Sequence, residues 1–325
     1  MNAVRVRTSP SLALVKYWGK VEGPHNLPAT TSVALTLAGL DTTTTARPAG
    51  RGAEAADQVL LGGEGQPSAR FQAFFDEARR IYKTDIRFYA DSHNSFPSSA
   101  GLASSSSGFA ALALAAARLA GLSPGPETAA LASEAARLGS ASAARAVYGG
   151  FTVLPAGARR AERLYGPEYW PELRVLVAVT SRAPKEDSSR GAMERTRRSS
   201  PYYRAWVDDA KILADEALFA LAAKDLQKLG ELMRLSYLRM HASAMAADPP
   251  ALYWLPASLA CIRACAALRA RGIGAWETMD AGPQVKVLCL ESELAAVRSA
   301  LAEAEPSLGF IETRPGPDPD LQELA

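Results

Sequence analysis

The period of apolar and polar positions changes repeatedly along the chain. Val4-Arg5-Val6-Arg7 alternates with the two-residue period of a half-buried strand. Ser11 to Val15 is an apolar strand that ends in Lys16-Tyr17-Trp18-Gly19-Lys20. Leu27 to Leu37 reads as a turn followed by a strand, and residues 41 to 66, rich in Thr, Gly and Ala, as strands joined by surface loops. Phe71 to Tyr82 has helical spacing, Ile86 to Ala90 is a strand, and the alanine- and leucine-rich run Phe109 to Ala120 is a buried helix. A helix is expected over Pro126 to Leu138 and a buried strand over Leu173 to Val179. Arg182 to Arg198 is polar throughout and reads as a mobile connection between lobes. Two helices follow within Trp206 to Arg239, and another within Pro256 to Arg271. A Gly-Pro turn leads into the apolar strand ending at Leu290, and the chain from Pro306 onward reads as a short strand with a frayed, Pro-rich tail.

Composition narrows the class. The chain has 325 residues, 48% of them hydrophobic, which is enough for two domains of an ordinary globular protein. A net charge of +2 points away from nucleic acid and leaves room for small basic pockets. No apolar run approaches a membrane span, and the first residues lack the apolar core of a signal peptide. Cys261, Cys265 and Cys289 are too few for a disulfide scaffold and have no histidine cluster to complete a metal site. They read as reduced, mostly buried thiols of a cytosolic protein.

Four segments carry chemistry. Phe96 to Gly108 is a small, hydroxyl-rich loop running into a helix N-terminus, where unpaired backbone N–H groups favour an anion, most simply phosphate. A serine-capped helix after a flexible loop is the alternative. No Gly-Lys-Ser/Thr is present, so it is not a Walker A loop. Lys16 and Lys20 could both face an anion with Tyr17 and Trp18 as walls, or be solvated at a strand end. Gly139 to Phe151 contains small residues around one long cation, Arg145, whose planar fork suits a carboxylate or a structural ion pair. Asp280 sits in a turn, where aspartate is common, or is aimed at a hydroxyl as base or positioner.

Together these segments resemble the diphosphomevalonate decarboxylases of the GHMP kinase superfamily. The resemblance is carried by Lys16 to Lys20, by Phe-Pro-x-x-Ala-Gly-Leu-Ala-Ser-Ser at Phe96 to Ser105, by Gly-Ser-x-Ser-Ala-x-Arg-x-x-Tyr-Gly-Gly-Phe from Gly139, and by Thr-Met-Asp-Ala-Gly-Pro-x-Val-Lys-Val from Thr278. It covers nearly the whole chain. Ser11, Thr30, Thr31 and Gln284 stand where many members have asparagine. The resemblance implies an α+β, two-lobed fold. The first lobe is like domain 2 of ribosomal protein S5 and spans residues 1–185; the second is ferredoxin-like and spans 186–325, with the active site between them. It implies ATP-dependent decarboxylation of mevalonate diphosphate to isopentenyl diphosphate in isoprenoid biosynthesis, by a cytoplasmic homodimer using ATP and Mg²⁺.

The same resemblance assigns roles. Asp280 would orient or deprotonate the tertiary hydroxyl, Lys16 would stabilise the transferring phosphoryl group, and Arg145 with Ser142 would hold the carboxylate. Tyr17, Lys20, Ser140, Ser189, Arg190 and Met193 would surround the diphosphate. Ala100, Gly101, Leu102, Ala103, Ser104, Ser105 and Ser106 would cradle the ATP phosphates, Ser105 facing the ATP-bound Mg²⁺. His241 is kept as a structural candidate. Competing expectations are a phosphomevalonate decarboxylase, a kinase acting on the 3-hydroxyl alone, and a non-catalytic metabolite-binding protein.

Overall fold

The computed structural model describes residues 3–23, 26–51, 55–96, 104–183 and 187–324. Two lobes of mixed helix and sheet are built from three sheets. The largest has six strands in the order Asp320–Leu324, Ala3–Thr8, Thr42–Arg51, Ile86–Asn94, Gln58–Leu61 and Glu64–Gly65. Neighbours are antiparallel except Gln58–Leu61, which runs parallel to Ile86–Asn94. Burial alternates along Ala3–Thr8 and along Ile86–Asn94, so only one face of this sheet is covered. The cover comes from helices Ala69–Tyr82, Ser104–Leu119 and Pro126–Gly139, joined through Phe71, Phe74, Phe75 and Phe109.

A second sheet orders Ser11–Val15, Ser32–Thr36, Phe151–Leu154 and Glu162–Tyr165, all antiparallel. Its first three strands are buried at every residue, and thus on both faces. Part of the cover comes from Leu213, Ala217, Leu229 and Met233 of the paired helices Tyr203–Ala222 and Leu226–Met245. This layer joins the lobes into one core.

The third sheet runs Trp276–Met279, Val285–Leu290, Leu173–Val179 and Gly309–Thr313. The period of two decides its two faces. Leu173, Val175 and Val177 enter the core shared with the second sheet, whereas Leu176 and Ala178 meet Cys261, Cys265, Leu268, Val297 and Leu301 on helices Pro256–Ala270 and Leu294–Ala304. The three cysteines are free and buried. Glu277, fully buried on this sheet, is neutralised by Arg234 at 2.7 Å and by Arg269 at 2.5 Å.

Two expectations are corrected. The segment read as a polar connection contains helix Ser189–Ser199. Its N-terminal hydroxyl, Ser188 Oγ, accepts from the Gly191 N–H at 3.1 Å, Arg197 and Arg198 close its last turn, and Ala192, Met193 and Thr196 form a narrow buried stripe. The C-terminal tail is not frayed: Asp320–Leu324 completes the edge of the six-stranded sheet by pairing with Ala3–Thr8. Leu173–Val179 precedes residue 185 and pairs within the second lobe's sheet, so hydrogen bonding partitions the chain differently from a single cut there. Residue 185 itself lies outside the described residues.

Gly230 shows how tightly helix and sheet meet. A Cβ built there stands 2.2 Å from the Trp276 indole, which also carries the Arg269 guanidinium 5.2 Å from its ring. Alanine gains about 1 kcal/mol of helix propensity, whereas overpacking a filled core costs about 1–3 kcal/mol. Gly230→Ala is therefore expected to lower stability despite its better propensity; a urea midpoint equal to or above that of the parent would contradict this packing.

Candidate active site

The four chemistry-bearing segments meet in one cleft of about 610 Å³. Each arrives at the end of a regular element. Lys16 follows strand Ser11–Val15, Ser104 begins helix Ser104–Leu119, and Arg145 sits in the 3-10 turn Ala141–Val147 after helix Pro126–Gly139. Ser189 opens its helix, and Asp280 follows strand Trp276–Met279. Side chains placed at element ends inherit the rigidity of the elements while keeping access to the cleft.

The Lys16 segment is fixed from both lobes. The Lys16 N–H donates to Ser236 Oγ at 2.8 Å, and the Trp206 indole N–H donates to the Trp18 carbonyl at 3.0 Å. Gly19 has φ +106°, and a Cβ there would stand 2.1 Å from the Tyr203 hydroxyl, so only glycine fits. Thr30 and Thr31 act as braces: Thr30 Oγ1 accepts from the Trp18 N–H at 3.3 Å, and Thr31 Oγ1 accepts from the Ala156 N–H at 3.0 Å. Neither lines the cleft; Ser11 does.

At the centre lies a carboxylate between two ammonium groups. Lys16 Nζ is 2.7 Å from Asp280 Oδ1, and Lys286 Nζ is 3.1 Å from Asp280 Oδ2. Burial alone would raise the Asp280 carboxyl, but Lys16 and Lys286 more than reverse this and hold it well below the usual carboxylate range. Burial brings Lys16 down to about 8 despite its Asp280 partner, with Lys286 and Arg145 pushing the same way. Arg145 is 2% exposed, donates from Nη1 to Ser32 Oγ, and leaves its buried Nε with no partner among the described residues. Burial lowers this guanidinium to about 10.

The other end of the cleft is also cationic. Lys20 falls to about 8 through burial and then through Arg190. Arg190 Nη2 donates to the Gly139 carbonyl at 3.2 Å, tying its helix to the Arg145 segment. Tyr17 lines the cleft with a buried hydroxyl that has no partner among the described residues, and burial pushes that hydroxyl up. Ser140 and Ser142 share a hydrogen bond at 3.0 Å, and Ser189 and Met193 complete this wall.

Ser104 and Ser105 line the cleft at the helix start, which has no acidic residue in its first turn. Hydroxyls and backbone N–H groups without carboxylates are a donor set for phosphate. Ser106 is turned away: it is fully buried and donates to the Ser142 carbonyl at 3.1 Å. Ala100, Gly101, Leu102 and Ala103 lie outside the described residues. Among the described residues no cluster of three or more His, Cys, Asp or Glu could hold a metal, so a divalent cation would fit only with an anionic ligand that brings its own oxygens.

Residue-by-residue reading missed the part of Lys286, although a lysine within the apolar strand Val285–Leu290 is itself a signal. It also left Gln284 as a mere replacement. That side chain accepts from the Thr180 N–H at 2.6 Å and donates to the Ser181 carbonyl at 2.6 Å, tying the Asp280 turn to the chain that leads toward Ser189. His241 is buried outside the cleft lining, lowered by burial to about 3, and accepts at Nδ1 from the Trp254 indole N–H at 2.9 Å.

Comparison with known proteins is decisive. A model of the diphosphomevalonate decarboxylase-like N-terminal domain matches residues 8–164, and one of the mevalonate 5-diphosphate decarboxylase C-terminal domain matches residues 175–314. The diphosphomevalonate decarboxylase of Gibberella zeae is 32% identical over 332 residues, covering 93% of this chain and 85% of that protein. The chain belongs to the diphosphomevalonate decarboxylase family. The human diphosphomevalonate decarboxylase is 30% identical, over 98% of this chain and 86% of its own. Among solved structures, the mevalonate diphosphate decarboxylase of Enterococcus faecalis superposes with a TM-score of 0.88 at 33% identity, covering 99% of each chain. MDDEF in complex with MVAPP, AMPPCP and magnesium gives the same TM-score, identity and coverage. The two-lobed fold of this family member is thus that of mevalonate diphosphate decarboxylase.

Lys16 and Lys20, both near 8, make the cleft's positive charge sensitive to pH. Below that value both are ammonium groups; above it both lose their protons and the attraction for an anion falls. Pyrophosphate, whose own charge does not decrease as pH rises, is expected to bind several-fold more weakly at about pH 9.5 than at about pH 7. Titration calorimetry at the two values checks this, and equal or tighter binding at the higher pH would count against it.

Proposed function

We propose that this family member catalyses the ATP-dependent decarboxylation of mevalonate diphosphate to isopentenyl diphosphate, with ADP, phosphate and CO₂ as the other products. The observation that carries the reading is the convergence of Lys16, Arg145 and Asp280, from three distant segments, on one cleft with a serine-bearing helix start. The relatives named above support it through what they are named for and solved with. ATP with Mg²⁺, when bound, supplies the phosphoryl group that converts a tertiary hydroxyl into a leaving group.

Each residue then has a physical task. Ser104, Ser105 and the helix N-terminus receive the nucleotide phosphates, and Ser105 offers its hydroxyl toward the nucleotide's Mg²⁺. Ser106 contributes by fixing this turn against the Ser142 carbonyl. Asp280, kept ionised by its two lysines, accepts a hydrogen bond from the substrate hydroxyl and orients it; so strongly stabilised a carboxylate is a better positioner than base. Lys16 faces the transferring phosphoryl group and stabilises its charge. Arg145 and Ser142 hold the substrate carboxylate, which leaves as CO₂ when positive charge builds at the neighbouring carbon. Tyr17, Lys20, Ser140, Ser189, Arg190 and Met193 surround the diphosphate.

The expected cytoplasmic homodimer belongs to this proposal. Three free buried cysteines accord with a reducing compartment, and among the described residues no helix is long and apolar enough to cross a membrane. Ile212 and Phe219, exposed on one helix, are apolar surface that a second copy could cover; sedimentation tests the assembly. The division into lobes of residues 1–185 and 186–325 is kept as a description of sequence order.

Incubation with ATP, Mg²⁺ and mevalonate diphosphate, following ADP and CO₂ separately, tests the reaction. Both products are expected in equal amounts. ADP alone would make the protein a kinase, neither product a binding protein, and faster turnover of the monophosphate would change the substrate. Asp280→Asn keeps the shape and removes the charge, and should slow both products together by about a hundredfold or more while ATP still binds. Normal ADP formation without CO₂ would remove Asp280 from phosphoryl transfer. Arg145→Lys keeps the charge but not the fork, so it should weaken substrate binding more than ATP binding. Equal weakening of the two would contradict the carboxylate role.

A further inference from the structure

The Asp280 carboxylate has two buried lysine partners, and only Lys16 lines the cleft. Lys286 reaches the carboxylate from within the sheet. It is the second residue of strand Val285–Leu290, 2% exposed, in register with Thr278 on one side and Val177 on the other. Burying an ammonium group there is costly, and an apolar residue of similar volume would commonly serve the fold as well or better. What the lysine touches is the Asp280 carboxylate.

A carboxylate held through one oxygen can swing about its Cβ–Cγ bond. With Lys16 at 2.7 Å from Oδ1 and Lys286 at 3.1 Å from Oδ2, both ends are held and the carboxylate plane is set. Resting on the role of Asp280 proposed above, we infer that Lys286 is a positioning residue that fixes the Asp280 carboxylate for the substrate hydroxyl without itself meeting substrate. Its charge also acts on Lys16. The groups facing this pair are Arg145 from the 3-10 turn and His241 from helix Leu226–Met245, the latter neutral with Nδ1 occupied by Trp254. Lys286 lowers Lys16, so removing Lys286 must raise it.

Lys286→Met, Lys286→Arg, Asp280→Asn and the double variant Asp280→Asn with Lys286→Met test the inference through kcat, both KM values and pH profiles. Lys286→Met is expected to lower kcat on the order of a hundredfold, the scale of a misplaced reacting group, with KM for ATP unchanged. The alkaline limb of kcat/KM, expected near 8 in the parent where Lys16 loses its proton, should move upward. Lys286→Arg should restore most of kcat and leave the limb in place. In the Asp280→Asn background the second change should add little, because its target is gone. A purely structural lysine would instead lower stability and raise both KM values with kcat little changed, and additive losses in the double variant would likewise overturn the inference. If Lys286→Met does not fold, Lys286→Gln against Lys286→Arg makes the same comparison. A parent enzyme that releases neither ADP nor CO₂ overturns the functional reading itself. An active parent with an equally active Lys286→Met overturns only the role of Lys286.

Discussion

A carboxylate held between two buried ammonium groups organises this molecule. Asp280 stands on a turn of the second lobe, Lys16 follows a strand of the first, and Lys286 belongs to the sheet beneath the turn. The pair Lys16–Asp280 joins positions 264 residues apart. Removing Asp280 would leave the buried Lys16 without its counter-charge, a larger cost than the net worth of the pair. The lobes must therefore be closed upon each other for the site to exist. The shared core of Leu213, Leu229 and Met233 against the second sheet provides that closure.

The supports around this centre are mostly neutral hydrogen bonds, which fits their task. Ser236 holds the Lys16 backbone, and Ser258 Oγ donates to the Pro283 carbonyl at 2.7 Å in the turn after Asp280. Gln284 extends the same turn toward Thr180 and Ser181. Neutral donors fix backbone geometry while adding no net charge to a cleft whose electrostatics are already set by Lys16, Arg145, Lys20 and Arg190. His241 belongs with them, because burial keeps it neutral beside Lys16 and Asp280. A charged imidazole there would add to the repulsion that already lowers Lys16.

How much of this was legible in sequence follows from the range of each interaction. Strand Leu173–Val179 and the helix beginning at Pro126 were readable because their patterns are local. The four signature segments were readable as candidate chemistry because each concentrates unusual residue types. Helix Ser189–Ser199 was not, since its buried stripe is three residues wide and charge hides its period. The edge strand Asp320–Leu324 was not, because its partner Ala3–Thr8 lies at the other end of the chain and its own residues are mainly polar. The role of Lys286 required knowing that its strand passes under the Asp280 turn, which no local pattern contains.

The charge imbalance around Asp280 carries one further consequence for how the cleft works. Lys16, Lys286 and Arg145 bring three positive charges against the Asp280 carboxylate, and both Lys16 and Arg145 are depressed by burial. Lys16 and Arg145 are each less stable as cations there than in water, and an anionic ligand brings them counter-charge. Binding of an anion then raises Lys16 toward its ordinary value and offsets the repulsion it meets from Lys286 and Arg145. Part of the intrinsic attraction for ligand is thus the recovery of desolvation already suffered on folding. This is preorganisation in an electrostatic sense, since the charges need not be gathered when the ligand arrives. It also explains why the one carboxylate must be pinned at both oxygens: among so many cations, an unrestrained Asp280 would turn toward whichever was nearest and away from the hydroxyl it has to orient.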